Sequence, residues 1–583
     1  MSKIKELQLS SDIRGIAIRT EEFDATLTVE ESRLIASAFV KWLQKRYPSK
    51  KVTELVVGIG RDSRVSGPDL TREFIQVLSA FGVRVIDFEM ATTPSMFMAT
   101  QFEKFNCDAT VMFTASHLPF YYNGLKFFTR EGGLEASDIC DIIDLVDEKE
   151  EVPQVPVSTI EVKSIFERYS RHLVELIRKG SGSEKEKPLE GLHIIVDAGN
   201  GAGGFFAEKV LEVLGANTKG SQFLDPDGTF PNHIANPDNK EAMESIKNQV
   251  LAVGADYGVI FDTDVDRAAV VTGDGELLNR NNLIAVLSVI AISEHPGTTI
   301  VTNSPTTEHL KRFITELGGH QYRYISGYRN VINKAIELNK AGTDCQLAIE
   351  TSGHAAFKEN YFLDDGAYVV AKILMLLPRL IERGETLDHL IQQLVQPKEV
   401  VEVRFKIETE DFKAYGNEVI KEFPQWIPQG WGVNPENEEG VRIDFKGEYG
   451  DGWLLLRMSL HEPLLVLQIE NDLVGYQKKI LETIQKIMNR YPKINQSKQS
   501  LRYKLSSWEK LKFPIEFFTY QGFLRPLKDS EGNWYKNVSD AAEALGVRYY
   551  DITKARDEDG IISLDRIQKI QIKRRRRREN ACI

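Results

Sequence analysis

Short apolar runs alternate with amphipathic segments over most of the chain. The apolar runs end in polar, often glycine-bearing turns and predict buried strands at 55–59, 82–88, 192–196, 257–261, 299–302 and 322–325. Helical periodicity predicts helices at 29–43, 69–81, 160–177 and 307–317. Strands that alternate with helices are typical of βα units, so this part of the chain is predicted to form α/β domains.

The pattern changes near residue 398. Short apolar runs there predict strands at 400–407, 441–445, 453–458 and 464–469. They flank segments of helical periodicity at 412–423 and 474–488. This mixture of short strands and helices predicts an α+β domain.

The composition is that of a soluble globular protein, with 42% hydrophobic and 27% charged residues. The length of 583 residues exceeds a single core and predicts three to five domains. No run approaches the roughly 20 apolar residues of a membrane span, and the N-terminus has no apolar signal-peptide core. Four scattered cysteines show neither zinc-site spacing nor a disulfide framework, so we expect a reduced, cytoplasmic protein.

The net charge of −12 is unevenly distributed. Residues 493–583 carry 20 basic and 12 acidic side chains, a net charge of +8, which leaves −20 on residues 1–492. This C-terminal extension contains a basic run at 573–578, and 538–549 could form the first helix and turn of a helix-turn-helix unit. We prefer to interpret it as a solvated tail or small capping module; nucleic-acid binding is the alternative.

One serine is predicted to lie at the tip of a strand–loop–strand. An apolar run ends at Phe113, a polar turn holds Ser116, and a second apolar run follows an Asn-Gly turn at 123–124. A serine hydroxyl needs a base, a metal or neighbouring cations to become a useful nucleophile. His117 and Lys126 are candidate partners, although an ordinary Ser/Thr-rich turn would have the same pattern.

Three carboxylates follow the strand at 257–261. Asp262, Asp264 and Asp266 occupy alternate positions, which in a tight loop can direct them to one point. Like charges held so close repel unless a cation lies among them, and oxygen-only ligands favour Mg²⁺. An EF-hand needs a glycine where Arg267 stands, so the remaining alternative is a solvated acidic turn.

Further motifs occur in collinear order with these two. They are DIRG at 12–15, GRDSRVSG at 60–67, PDGTFP at 226–231, GYR at 327–329, ETSGH at 350–354 and RMSLHEP at 457–463. Together with TASH-x-P-x-x-x-NG-x-K at 114–126, they resemble the motifs of the α-D-phosphohexomutases. That family includes phosphoglucomutase, phosphomannomutase and phosphoglucosamine mutase, and the resemblance covers about residues 1–492.

The resemblance implies an isomerase that interconverts hexose 1-phosphate and hexose 6-phosphate. A phosphoserine enzyme would form a bisphosphorylated sugar, with Mg²⁺ as cofactor and hexose 1,6-bisphosphate as activator. The implied catalytic residues are Ser116, His117, Lys126, Arg14 and Arg267, and the implied metal ligands are Ser116, Asp262, Asp264 and Asp266. The implied substrate-binding residues are Arg329, Glu350, Ser352, His354, Arg457, Ser459 and His461. The expected partner is a phosphorylated hexose, and the expected assembly is a monomer or dimer.

The implied architecture is three βα-type mixed-sheet domains and an α+β domain around a central cleft, with an extra C-terminal module. The expected domains are a phosphoserine domain at 1–155, a metal-binding domain at 156–280, a sugar-binding domain at 281–397, a phosphate-binding domain at 398–492 and the basic extension at 493–583.

The sequence departs from the family pattern at three places. Leu118 replaces the usual Asn after the histidine, Ser304-Pro305 replaces a lysine position, and Leu460-His461 replaces Gly-Thr. These departures favour one alternative, a catalytically altered phosphosugar-binding regulatory protein. A second alternative is a phosphatase that loses the phosphoserine to water, which would need only a poorly closing fourth domain. The motifs do not distinguish glucose, mannose and glucosamine phosphates.

Overall fold

The computed structural model describes residues 3–147, 158–459 and 462–495, and in the C-terminal extension 502–505, 527–531, 534–535, 544–545 and 563–569. The described chain divides into two compact units, residues 1–395 and 396–583. The first unit contains three β-sheets, and a further large sheet belongs to the second.

The first sheet has eight strands of mixed direction. They are β1 (Gln8–Leu9), β2 (Asp12–Ile16), β3 (Val56–Arg61), β4 (Arg84–Met90), β5 (Ala109–Phe113), β6 (Tyr122–Thr129), β7 (Gly132–Gly133) and β8 (Ile160–Val162). The order is β1-β2-β6-β5-β3-β4-β8, with β7 on β6. Helices α1 (Val29–Arg46), α2 (Gly67–Ala80), α3 (Thr93–Gln101) and α4 (Ala136–Asp144) connect the strands. β3 lies parallel to β5, whereas β5 and β6 are antiparallel neighbours joined by the serine loop.

Helix α5 (Phe166–Ser181) leads to the second sheet. Its strands are β9 (Ile194–Asp197), β10 (Tyr257–Phe261), β11 (Ala268–Thr272) and β12 (Leu277–Leu278), in the order β12-β11-β10-β9, and α6 (Lys240–Val253) belongs to the same part of the chain. β10 and β11 are antiparallel. Tyr257 pairs with Thr272 at one end of this ladder, and Phe261 pairs with Ala268 at the other. The acidic triad therefore occupies the tight loop between two antiparallel strands.

The third sheet has five strands in the order β14-β13-β15-β16-β17. They are β13 (Thr299–Asn303), β14 (His320–Tyr324), β15 (Cys345–Ile349), β16 (Ala355–Phe357) and β17 (Leu363–Asp364). The surrounding helices are α7 (Arg280–Glu294), α8 (Glu308–Glu316), α9 (Tyr328–Lys340) and α10 (Gly366–Arg383). The GYR motif thus begins α9, and the ETSGH motif forms the turn between β15 and β16.

The second unit is an α+β structure with a seven-stranded sheet. Its elements are β18 (Glu399–Ile407), α11 (Phe412–Glu422), β19 (Trp431–Val433), β20 (Val441–Phe445), β21 (Gly452–Met458), β22 (Leu464–Asn471), α12 (Gln477–Met488), β23 (Ile494–Asn495) and β24 (Arg502–Leu505). The strand order is β19-β20-β21-β22-β18-β23, and β24 also pairs with β18. A two-stranded ladder, β25 (Leu527–Lys528) and β26 (Trp534–Tyr535), lies in the extension.

The predicted α/β and α+β fold class is confirmed. The helix predicted at 160–177 is wrong at its beginning, because Ile160–Val162 forms edge strand β8 against β4 and the helix starts at Phe166. An edge strand with alternating exposure can share its apolar positions with the first turn of an amphipathic helix. No helix among the described residues is long and apolar enough to span a bilayer.

Aromatic packing joins two helices, α1 and α2, to strand β6 of the first sheet. The ring of Phe39 in α1 is fully buried and lies 5.0 Å from the ring of Phe127 in β6 and 6.2 Å from that of Phe74 in α2, measured between centroids. Because β6 also carries Lys126, this packing fixes the strand that brings an ammonium group to the acidic triad.

We expect Phe39→Ala to lower the free energy of unfolding by about 3–5 kcal/mol, since it leaves a cavity among aromatic rings. Urea-induced unfolding measures this. The matched control is Val162→Ala, whose side chain is 64% exposed, with an expected change below about 0.5 kcal/mol. Equal effects of the two substitutions would contradict this account of the core.

Candidate active site

The serine loop places Ser116 between the ends of β5 and β6. Ser116 is 4% exposed and has a left-handed backbone with φ of 51°. That conformation is uncommon outside glycine and costs free energy, so other contacts must hold it. Part of the support is local, because the Ser116 amide donates to Oγ1 of Thr114 over 2.9 Å.

The Ser116 hydroxyl contacts both the acidic triad and an arginine. Its Oγ donates to Oδ2 of Asp262 over 3.0 Å and accepts from Nη2 of Arg267 over 2.9 Å. Nδ1 of His117 lies 3.4 Å from the same oxygen. The serine predicted from the strand–loop–strand pattern is therefore in contact with a carboxylate, a guanidinium and an imidazole.

The three carboxylates of the triad converge as their spacing predicts. Asp262, Asp264 and Asp266 are all buried and offer oxygens that lie within 4.8 Å of one another. Val265, with φ of 65°, turns the loop between the last two. Burial rules out a solvated acidic turn, and a loop between antiparallel strands is not an EF-hand.

The triad has the properties of a site for a hard cation. No hydrogen bond from the described residues reaches Oδ1 of Asp264 or Oδ1 of Asp266, although both atoms are buried. Buried carboxylate oxygens without donors are costly unless a cation is close. The donor set consists of oxygen alone, which suits Mg²⁺.

Two basic side chains counter the triad. Nζ of Lys126 lies 2.5 Å from Oδ2 of Asp266 and 3.1 Å from Oδ2 of Asp264, and Nε of Arg267 donates to Oδ2 of Asp262 over 3.1 Å. Burial alone would lower the pKa of Lys126, but the two carboxylates raise it well above its usual value. Lys126 is therefore an ammonium group that compensates charge.

The triad does not share its charge equally. Burial and the other two carboxylates raise the pKa of Asp262 well above its usual range. Burial would also raise the pKa of Asp266, but Lys126, His354 and Arg267 lower it below its usual value. Asp262, the carboxylate next to the serine hydroxyl, therefore accepts a proton more easily than Asp266.

Arg14 and His117 flank the serine. Arg14 forms an ion pair of 2.8 Å with Asp12 and reaches the carbonyl of Ala115 over 3.4 Å. His117 Nδ1 accepts from Nη2 of Arg267 over 2.6 Å. Desolvation of the imidazole and the charge of Arg267 lower the pKa of His117 well below its usual value, so the ring is neutral near pH 7.

The ETSGH turn is attached to the acidic loop at 262–267 and to the GYR turn. His354 forms a backbone bridge with Arg267, and its Nδ1 lies 2.5 Å from Asp364 and 3.8 Å from Asp266. Oε1 of Glu350 accepts from the amide of Gly327 over 2.6 Å. The Ser352 hydroxyl donates to Oε2 of Glu350 over 3.4 Å, a long and therefore weak hydrogen bond.

Arg329, predicted to bind substrate, does not join this cluster. The guanidinium of Arg329 pairs with Glu135 and donates to the carbonyl of Gly133 over 3.2 Å, within the serine domain. In the second unit, Arg457 donates to the carbonyl of Met458 over 3.2 Å, and Ser459 accepts from the amide of Glu462. His461 and Leu460 lie outside the described residues. The substrate-binding roles of these residues remain predictions.

Three residues that sequence reasoning missed belong to the site. Thr93 donates its hydroxyl to Oδ2 of Asp264 over 2.5 Å, and Asp364 binds His354. The ring of Tyr328 stacks on His354 with centroids 5.2 Å apart. Only Tyr328 had a signal in the sequence, because it is the middle residue of the GYR motif.

Comparisons with known families match most of the first unit. Three sequence profiles, described as phosphoglucomutase/phosphomannomutase alpha/beta/alpha domains I, II and III, match residues 5–152, 167–275 and 279–397.

Relatives that match most of the chain carry the names of the same family. A phosphomannomutase/phosphoglucomutase of Pseudomonas aeruginosa is 31% identical over 464 residues, which cover 79% of this chain and 90% of the relative. A phosphoglucomutase of Neisseria gonorrhoeae is 29% identical over 496 residues, or 85% of this chain and 97% of the relative.

Solved structures share the fold. A crystal structure of a phosphoglucomutase/phosphomannomutase family protein from Burkholderia thailandensis superposes with a TM-score of 0.69 and 26% identity, covering 85% of this chain and 99% of that one. A putative phosphomannomutase from Thermus thermophilus, at 19% identity, has a TM-score of 0.61 over 82% of this chain and 98% of the other.

We expect Lys126→Met to destabilise the protein by about 3–5 kcal/mol in the presence of a chelator, because it leaves buried carboxylates without their counter-charge. Millimolar Mg²⁺ should restore part of this loss, since the cation supplies the missing charge. Thermal and urea unfolding with and without Mg²⁺ measure both effects.

The matched control is Lys372→Met. Lys372 is also a buried ammonium, 2.6 Å from Glu294 and 2.7 Å from Glu359, but it lies outside the acidic triad. Its loss should destabilise the protein without recovery by Mg²⁺. If Mg²⁺ restores the two variants equally, or neither of them, the triad is not a cation site.

Proposed function

The chain belongs to the phosphoglucomutase/phosphomannomutase family of phosphohexomutases and is an isomerase of that class, and we propose that it transfers a phosphoryl group between the 1- and 6-positions of a hexose through a phosphoserine at Ser116. The observation that carries the proposal is the buried Ser116 hydroxyl, within 3.0 Å of Asp262 and 2.9 Å of Arg267. The comparisons give no support to the regulatory alternative.

The proposed transfer exchanges one phosphorus–oxygen bond for another. The bond between phosphorus and Ser116 Oγ breaks as the free sugar hydroxyl forms its bond to the same phosphorus. The Ser116 oxygen keeps the electron pair and takes up a proton, and the sugar hydroxyl loses one. The resulting bisphosphorylated sugar turns end for end, and its other phosphate returns to Ser116 by the same exchange.

This chain's residues supply charge and proton movement. Arg267 Nη2, already 2.9 Å from Ser116 Oγ, would stabilise the negative charge on the transferring group. Lys126, His117 or Arg14 would assist proton movement at the sugar hydroxyl. Asp262, Asp264 and Asp266 would hold Mg²⁺, together with the phosphate on Ser116. When bound, Mg²⁺ would neutralise phosphoryl charge as a Lewis acid.

The substrate is proposed to be a phosphorylated hexose with hexose 1,6-bisphosphate as activator, because the bisphosphate can load Ser116. Glu350 and Ser352 occupy one turn and offer a carboxylate and a hydroxyl that suit vicinal sugar hydroxyls. The remaining proposed substrate contacts are Arg329, His354, Arg457, Ser459 and His461.

The central test is phosphorylation of Ser116. Incubation with a hexose 1,6-bisphosphate should place one phosphate there, detected by mass spectrometry, and Ser116→Ala should abolish turnover because no other hydroxyl replaces the nucleophile. Glucose 1-phosphate, mannose 1-phosphate and glucosamine 1-phosphate, each with Mg²⁺ and a trace of the bisphosphate, form the assay panel.

Ser32→Ala is the matched control, since the buried Ser32 hydroxyl donates to the carbonyl of Leu70 over 2.8 Å where α1 packs on α2, outside the serine loop, and should be dispensable for turnover. Absence of phosphate on Ser116 would overturn the mutase proposal. Release of inorganic phosphate without sugar isomerisation would instead identify a phosphatase.

Metal dependence gives a second test. Asp264→Asn removes one of three converging charges, so we expect Mg²⁺ to bind more than about tenfold more weakly, with a comparable loss of rate. Titration calorimetry and the mutase assay measure the two effects. Asp197→Asn is the control, because Asp197 is a buried carboxylate bound to His233 over 2.9 Å outside the triad. Activity that persists with strong chelators would contradict the metal site.

A further inference from the structure

Arg64 is a buried charged residue whose role the phosphotransfer proposal leaves open. It follows β3 in the GRDSRVSG segment and is 1% exposed. β3 lies between β4 and β5, so the chain beyond its end runs beside the serine loop that follows β5. Within the described part of the chain, the Ser116 hydroxyl contacts Asp262, Arg267 and His117, so Arg64 is outside the group that would meet the phosphate.

The Arg64 guanidinium donates hydrogen bonds to four backbone carbonyls of the serine loop. Nη1 donates to the carbonyls of Pro119 over 2.8 Å and Tyr122 over 2.9 Å. Nη2 donates to the carbonyl of Leu118 over 2.7 Å and to that of Ser116 itself. One rigid side chain therefore binds the loop from the nucleophile to the first residue of β6. A lysine has a single nitrogen and cannot span these acceptors.

Arg64 is itself fixed in place. Its Nε lies 3.2 Å from Oδ2 of Asp62, whose Oδ1 accepts from the Arg64 amide over 2.9 Å. The ring of Phe230 lies 5.3 Å from the guanidinium. A Cβ on Gly228 would lie 2.2 Å from the carbonyl oxygen of Ser63, so the PDGTFP loop of the second sheet's domain packs directly against this segment.

Burial of the Asp62–Arg64 ion pair costs free energy, so stability alone does not explain why the pair is there. Burial raises the pKa of Asp62 to about 6 even beside Arg64. Well-packed apolar residues are often at least as stabilising as a buried ion pair, whereas such pairs can specify one conformation. The serine loop needs that specificity, because Ser116 has the strained φ of 51°.

We infer that Arg64 is a positioning residue that holds the serine loop in the one conformation in which the Ser116 hydroxyl meets Arg267 and Asp262. The inference rests on the proposed phosphoserine function for its catalytic consequence. Its structural consequence, an ordered loop at 114–124, is independent of that function. A displacement of about 1 Å of a reacting group can reduce a rate by 10²-fold, so a loosened loop has a measurable effect.

The test compares Arg64→Lys with Arg379→Lys. Arg379 also donates to two backbone carbonyls, those of Gly180 over 2.6 Å and Ser181 over 3.2 Å, far from the serine loop in sequence and outside the site. For Arg64→Lys we expect a phosphoserine formation rate and kcat about 10²-fold lower, with KM changed by less than about threefold. Amide hydrogen exchange at 114–124 should be at least about tenfold faster. Arg379→Lys should match the wild type in all these measurements.

Each outcome decides the inference. The inference is overturned if folded Arg64→Lys exchanges its amide hydrogens at 114–124 as slowly as the wild type does. It is also overturned if the fraction of unfolded protein alone accounts for the loss of rate. If Arg64→Lys does not fold, Asp62→Asn is measured instead: faster loop exchange with lower kcat supports the inference, and unchanged values overturn it. If the wild type forms no phosphoserine, the proposed function fails, and loop exchange alone decides the role of Arg64.

Discussion

The burial of three carboxylates on one loop is the constraint on which the site depends. Asp262, Asp264 and Asp266 cannot share a buried volume without opposite charge, and Lys126 and Arg267 supply it. Lys126 extends from β6 of the first sheet, and Arg267 immediately precedes the return strand β11 of the second. The compensation therefore joins two domains, and the same contacts bring the Ser116 hydroxyl to Asp262. The contacts that neutralise the carboxylates and those that position the Ser116 hydroxyl are therefore the same set.

That solution requires strained backbone at both loops. Ser116 and Val265 both have left-handed φ values, although neither is glycine. For the β-branched Val265 this is a marked departure from preferred geometry. The acidic loop at 262–267 is supported by Thr93, whose hydroxyl donates to Oδ2 of Asp264 and whose amide donates to the carbonyl of the same residue. Local strain is thus offset by contacts that arrive from distant parts of the chain.

The separation of contacting residues along the sequence explains which features could be predicted from the sequence. Alternate spacing was enough to predict the convergence of the triad, and the flanking apolar runs were enough to place Ser116 on a loop between strands. The partnership of Lys126 with Asp264 and Asp266 spans about 140 residues and depends on how two sheets pack, which periodicity does not encode. Arg64 was visible only as part of a motif, because its acceptors are main-chain carbonyls that carry no residue signature. The beginning of α5 was mispredicted because three residues at a sheet edge fit either periodicity.

The departure at Leu118 is easier to understand in these terms. Its carbonyl binds Arg64 whatever side chain the residue carries, so replacement of the usual Asn leaves the loop's anchor intact. The charge of the site leads to a further conclusion. Arg14, Lys126 and Arg267 all have carboxylate partners already. A phosphoryl group on Ser116 would add a charge of about −2, and Arg267, which would contact it, also neutralises Asp262 over 3.1 Å. These three cations alone would therefore not balance a phosphate on Ser116, and a divalent cation on the triad would be the simplest complement to it.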